Sequence, residues 1–262
     1  MDKRVHYILV LDTETANTRN VPNDKGGTKA DMSDVQCYDV GWAVVDKRGN
    51  VYETASFVNR DIFVYERDMM QTAFYASKIP RYVEDLQAGR RKMASLYEIR
   101  AALLDTIERW GIDTVAAYNA RFDDNALKRT QQYVTKSKYR YFFPFGGVEW
   151  WDIQKMAHDV VTKMPTYKAF ATERGWLTPT GRVKETAECV YRFITGDEDF
   201  SESHTGLEDV MIEKDIMAYC FRQHKEMRKL LWENSREFPE STPFQIALLS
   251  SLKHQPTIRG AW

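Results

Sequence analysis

Four acids and a histidine stand in three short segments of this chain: Asp12 and Glu14 in DTET, Asp123 in YNARFDD, and His204 and Asp209 in HTGLEDV. Carboxylates gathered in one place repel one another unless they are protonated or share a cation. Oxygen ligands of this kind suit hard divalent ions such as Mg²⁺, which keep several waters. Two such ions about 3.5–4 Å apart stabilise both the attacking and the leaving oxygen of a phosphodiester displacement. An imidazole that is neutral near pH 7 can take the proton of the attacking water. If these residues meet, the chemistry open to them is metal-dependent hydrolysis of a phosphodiester.

Each segment alone also has a plainer reading. Asp12 and Glu14 are two apart, so in a strand they share a face, but DTET could equally be an exposed turn past the strand's end. Asn119 has the type of a helix N-cap, which puts Asp123 in the first turn, where a carboxylate simply favours the helix dipole. Thr205 to Glu208 matches the capping box, with His204 just before the cap and Asp209 as the fourth helical residue. Those two positions usually hold a touching apolar pair. Here they place an imidazole and a carboxylate on one side of the helix start, which alone is equally a surface pair of little energetic value.

The elements that must position these residues are legible as patterns. Residues 5–12 read as a buried strand, and the polar residues 16–34 as a long loop. Residues 35–46 and 51–59 read as a hairpin around the turn 47–50. Helices are expected at 66–79 and 95–110, the second ended by Gly111, then a strand at 114–119 and a helix at 120–133. A strand at 147–152 leads into a helix at 153–161, and two more helices lie at 186–194 and 206–224. The expected fold is α/β: a mixed central sheet, with an antiparallel three-strand meander plus parallel strands, flanked by helices. Residues 1–224 are expected to form the domain, and 225–262 a helical extension packing on it, with linker-like composition after about 235.

Taken together, Asp12-Thr13-Glu14, Asn119-x-x-x-Asp123 and His204-x-x-x-x-Asp209 resemble the motifs of the DEDDh exonucleases, the DnaQ-like proofreading branch of the ribonuclease H-like superfamily. The resemblance covers residues 5–224 in outline and is specific only at the three segments. It implies that Asp12, Glu14 and Asp209 hold a first divalent ion, Mg²⁺ or Mn²⁺. Asp12 would bridge to a second, with Asp123 acting there directly or through water, and His204 would be the general base. It places Thr13 and Thr15 beside the terminal nucleotide, with Asn119 and Phe122 as weaker contacts. The activity implied is 3′→5′ hydrolysis of single-stranded or frayed DNA to nucleoside 5′-monophosphates. The same chemistry on RNA and a catalytically silent nucleic-acid-binding module are the rivals. The chain departs from the family pattern in its long 16–34 loop, in Tyr118 where the family often has histidine, and in Gly206 where it often has alanine.

Composition narrows the partners. The 262 residues carry 37 basic and 38 acidic side chains, a net charge of −1. A nucleic acid must therefore be held by a local patch or by metal ions rather than by a basic coat. Residues 125–148 offer such a patch: Lys128, Arg129, Lys136, Lys138 and Arg140 alternate with Tyr133, Tyr139, Tyr141, Phe142, Phe143 and Phe145. Cations on phosphates and rings on bases would grip a single strand, though the same rings could be core. The three cysteines are far apart, which fits a reducing cytoplasm. No apolar run suits a membrane span, and any polymerase or replication partner would act in trans. His158 and Asp152 are expected to be structural.

Overall fold

The computed structural model describes residues 2, 4–17, 20–22, 28–30, 34–73, 76–144 and 147–233. Residues 1–231 form one compact unit, and 232–262 a second, of which only Trp232 and Glu233 are described.

In chain order the first unit contains β1 (Ile8–Asn17), β2 (Asn20–Pro22), β3 (Thr28–Ala30), β4 (Val35–Val45) and β5 (Val51–Asn59). These are followed by α1 (Arg60–Phe63), α2 (Arg67–Thr72), α3 (Ile79–Gln87), β6 (Lys92–Ala94), α4 (Leu96–Trp110), β7 (Thr114–Ala117) and α5 (Ala120–Thr135). The remainder is β8 (Glu149–Asp152), α6 (Ile153–Ala157), α7 (Pro165–Glu173), α8 (Ala187–Thr195) and α9 (Gly206–Arg222). The main sheet has six strands in the order β6-β5-β4-β1-β7-β8. β1, β4 and β5 form the antiparallel meander, while β7, β8 and β6 join in parallel. This is the expected mixed sheet. Within the 16–34 loop, β2 and β3 make a separate two-stranded ribbon.

β1 is the central element, and its alternation divides the core. Leu9 and Leu11 join the cluster that includes Ile99 and Leu103 of α4 and Leu127 of α5. Ile8 and Val10 join the cluster built with α6, α8 and α9. Continuing the alternation, Asp12 and Glu14 point to the α9 side and Thr13 to the α5 side. The acids were expected where the strand gives out. Instead β1 runs on to Asn17, because its antiparallel pairing with β4 continues to Asn17↔Val35. On the other edge, pairing with β7 covers only Leu9↔Val115 and Val10↔Ala116. The acids therefore lie inside a strand, but beyond the point where β7 leaves it.

Other boundaries moved for local reasons. Of the single helix expected at 66–79, Arg67–Thr72 forms α2, which ends at Ala73 in an extended conformation (ψ 135°), while α3, with Pro80 in its first turn, begins only at Ile79 and was not expected. α4 has the full capping box of Ser95 and Glu98 and ends at Gly111 with φ 59°, as its pattern indicates. α6 continues as a π-helical turn, His158–Thr162. The helix expected from residue 225 is replaced, through 231, by extended chain along β8. The N–H of Asp152 donates to Lys229 O (2.7 Å) and that of Leu231 to Trp150 O (2.9 Å), while buried Leu231 joins the core. Residues 234–262 of that expected extension lie outside the described residues.

The crossing of α9 over the sheet sets the site. A Cβ on Gly41 of β4 would stand 2.3 Å from Leu207 N, and one on Gly206 would stand 2.9 Å from Gly41 N and 3.3 Å from Asp12 O. Backbone meets backbone there, so only hydrogen fits on either residue. Gly41→Ala is expected to cost about 1–3 kcal/mol or more, typical of overpacking. Urea denaturation measures it, and an unchanged midpoint would contradict the contact.

Candidate active site

The start of α9 is held by a side chain from another strand. The N–H of Gly206, the first helical residue, donates to Asp39 Oδ2 on β4 at 2.9 Å. Thr205 occupies the N-cap position but makes no side-chain cap bond. Its hydroxyl instead donates to Glu208 (2.8 Å). Buried Arg91 then ties the assembly together, pairing with Asp39 (3.1 Å), Asp85 (3.1 Å) and Glu208 (2.6 Å). Tyr82 of α3 donates a further bond to Asp39 at 2.7 Å. A charge group this deep persists only when paired and hydrogen-bonded throughout.

Against this frame the sequence-expected acids converge. One ligand atom each from Glu14, His204 and Asp209 lies within 4.8 Å of the other two. The charge of Asp12 is flanked by those of Glu14, Asp123, Asp209 and also Glu213. Asp123, in the first turn of α5, accepts from the N–H (3.1 Å) and the hydroxyl (2.8 Å) of Thr13. His204 sits just ahead of the helix with φ 51°, and its half-buried ring is brought back over the acids. The five expected residues are thus brought together from β1, the start of α5 and the segment that opens α9, with Glu14, His204 and Asp209 the three within common reach of one ion.

The expected nucleotide contacts divide. Thr13 is buried and gives both donors to Asp123, so its structural work is to orient that carboxylate. Thr15 follows a bulge between Glu14 and Thr15 and is half-buried. Asn119 is exposed and left-handed (φ 63°), with no side-chain cap bond. Asp152 caps α6, accepting from the N–H of Gln154 at 3.0 Å. Phe122 packs against the core on the α4 and α5 side. His158 bonds Glu185 at 2.9 Å, the structural role expected of it.

Three contributors were missed. Glu213 is buried one turn beyond Asp209 and was hidden in an ordinary amphipathic pattern. Asp39 lies in the 35–46 arm of the expected hairpin and was assigned no role there. Lys78, whose ammonium donates to Ser203 O, acts electrostatically on Glu14, Asp209 and His204. The signal for Lys78 was absent because α3 was not anticipated. In the basic stretch, Phe142 and Phe143 are core. Tyr139 and Tyr141 are 76% and 54% exposed, with Lys138 and Lys128 over their rings at 5.2 and 5.3 Å. Phe145 lies outside the described residues.

Burial and mutual repulsion dominate the electrostatics. Burial first, then neighbouring carboxylates, push Glu14 up to about 9 and Asp209 up to about 8. Asp123 rises to about 7 through burial, opposed by its bonds from Thr13. Asp12 and Glu213 are raised well above the carboxylate range for the same reasons. His204 is held below its ordinary value by burial and then by Lys78. Six buried side-chain polar atoms lack a hydrogen-bond partner among the described residues, and three of them are Asp12 Oδ2, Asp209 Oδ1 and Glu213 Oε2. Unsatisfied oxygens on crowded acids are the donor set a hard divalent cation takes. The residues present thus fit a metal.

The sequence matches no family model and no curated protein. Solved structures do match. Pop2p of S. pombe, in its Mg²⁺- and Mn²⁺-bound form, is 12% identical with a TM-score of 0.51, over 85% of this chain and 85% of that one. Exonuclease I of E. coli, in a zinc-bound complex with single-stranded DNA, is 13% identical with a TM-score of 0.49, over 84% of this chain. Exonuclease I of Methylocaldum szegediense is 16% identical with a TM-score of 0.47, again over 84%. The chain spans only 41% of either exonuclease I chain. The chain shares the fold of Pop2p.

The raised carboxylates have a consequence for stability. The metal-free folded state holds protons that the unfolded chain releases between about 4.5 and about 9. Stability is therefore fully present below that window and is lost as pH rises through it. The thermal midpoint in chelator is expected to fall from about pH 5 to about pH 8.5, and saturating Mg²⁺ is expected to reduce that fall. Parallel curves with and without Mg²⁺ would contradict it.

Proposed function

We propose that this protein is a DEDDh-type, metal-dependent 3′→5′ exonuclease. It hydrolyses single-stranded or frayed DNA to nucleoside 5′-monophosphates. The observation that carries the reading is the convergence of Asp12, Glu14, Asp123, His204 and Asp209 on one pocket with unsatisfied carboxylate oxygens. The Mg²⁺ and Mn²⁺ bound to Pop2p, which shares the fold, support a divalent cofactor here.

Asp12, Glu14, Asp123 and Asp209 would hold the two divalent cations. Bound cations would polarise the scissile phosphate and stabilise charge on the attacking and leaving oxygens. The chain's own groups do the rest. His204, kept neutral near pH 7 by burial and by Lys78, accepts the proton of the attacking water. Thr13 fixes Asp123 through two hydrogen bonds. Thr15 and Asn119 are the expected contacts left facing the terminal nucleotide, and the exposed Tyr139 and Tyr141 with their lysines offer stacking for the strand behind it. The free, buried cysteines fit a cytoplasmic setting. Among the described residues no helix is long and apolar enough to cross a membrane.

End-labelled single- and double-stranded DNA and RNA, incubated with Mg²⁺ with and without chelator, test the proposal. Mononucleotides should appear from the 3′ end of DNA only when the ion is present. Asp12→Ala should abolish release while leaving the fold intact. His204→Ala should slow release about 10²–10⁴-fold and alter its pH profile. Faster release from RNA would reassign the substrate, and binding without release would make the protein a silent module.

A further inference from the structure

We propose that Glu213 is a fifth carboxylate of the metal site, facing the cation held by Asp12 and Asp209. The inference rests on the metal-dependent reading above. Four observations carry it. Glu213 follows Asp209 by four residues on α9, so it stands about one turn, roughly 5.4 Å, further along the same stripe. It is 3% exposed, and among the described residues its Oε2 has no hydrogen-bond partner. Its charge acts on Asp12, and those of Asp123 and Asp209 act on it in turn. Asp12 Oδ2 and Asp209 Oδ1 are likewise buried without a partner.

The backbone N–H of Tyr118, where the chain leaves β7, favours the charged form of the carboxylate but does not offset its burial. Placing a carboxylate beside Asp12, Asp123 and Asp209 is costly in a buried site unless a positive charge is shared. The chain thereby gains a metal-holding residue outside its three motifs.

Glu213→Gln separates packing from charge, because the amide keeps the size and shape of the side chain while the charge is gone. Mn²⁺ binding to the metal-stripped full chain is read by titration calorimetry, and thermal midpoints are taken with and without Mn²⁺. The variant is expected to bind Mn²⁺ about 10–100-fold more weakly, to melt higher than wild type without metal, and to gain less on adding it. Equal Mn²⁺ affinity and equal metal-induced shifts in variant and wild type would overturn the assignment. Wild type that binds no Mn²⁺ would instead overturn the metal-dependent reading itself. If Glu213→Gln does not fold, Glu213→Asp keeps the charge but retracts it by one methylene. Its affinity should then fall, and an unchanged value would overturn the proposal.

Discussion

Like charges held out of water are the constraint around which this molecule is arranged. Asp12, Glu14, Asp123, Asp209 and Glu213 crowd one pocket, and each is pushed toward its protonated form chiefly by burial. No packing interaction repays that arrangement in the metal-free chain. The surrounding structure therefore has to be rigid enough to keep the acids together without help from the acids themselves. The sheet does this by carrying β1 past β7 while β4 keeps it paired, so that the carboxylates project from regular backbone rather than from a loose turn.

The second source of rigidity is the docking of α9. Two glycines let its first turn touch β4, and Asp39 receives the N–H of Gly206. Arg91 satisfies Asp39, Asp85 and Glu208 together, joining β4, α3 and α9 through one guanidinium. Negative charge at this helix start is favourable on its own account, since the unpaired N–H groups lie there. The same local field that suits Asp39 also suits Asp209. A device for anchoring a helix and a device for collecting anions thus coincide, and the positive φ of His204 turns its ring back across both.

Much of this was legible because it follows from local rules. Alternation in residues 5–12 gave the shared face of Asp12 and Glu14, and the capping-box pattern correctly began α9 at Gly206. The meander and the β7–α5 and β8–α6 junctions followed from turn residues and periodicity. What escaped depends on contacts distant in sequence. The box residue Thr205 yields its capping work to Asp39, which stands 167 positions away. Thr13 looks like a substrate contact in DTET, and only the fold reveals that Asp123 takes both its donors. Glu213 reads as one polar residue in a long helix until α9 is laid against β1. α3 was not read at all: it starts at Ile79, where the expected 66–79 helix ends, with Pro80 in its first turn.

The glycine crossing bears on when the pocket can come into being. Its two halves are contributed by residues near the beginning of the chain and by a helix that starts only at Gly206. While the ribosome has delivered β1, β4 and α5 but not α9, the nascent protein owns Asp12, Glu14 and Asp123 without the partners that close the pocket. Assembly of the anionic centre thereby waits until α9 has been synthesised, and a chain cut short before His204 would lack His204, Asp209 and Glu213 however well its sheet had formed.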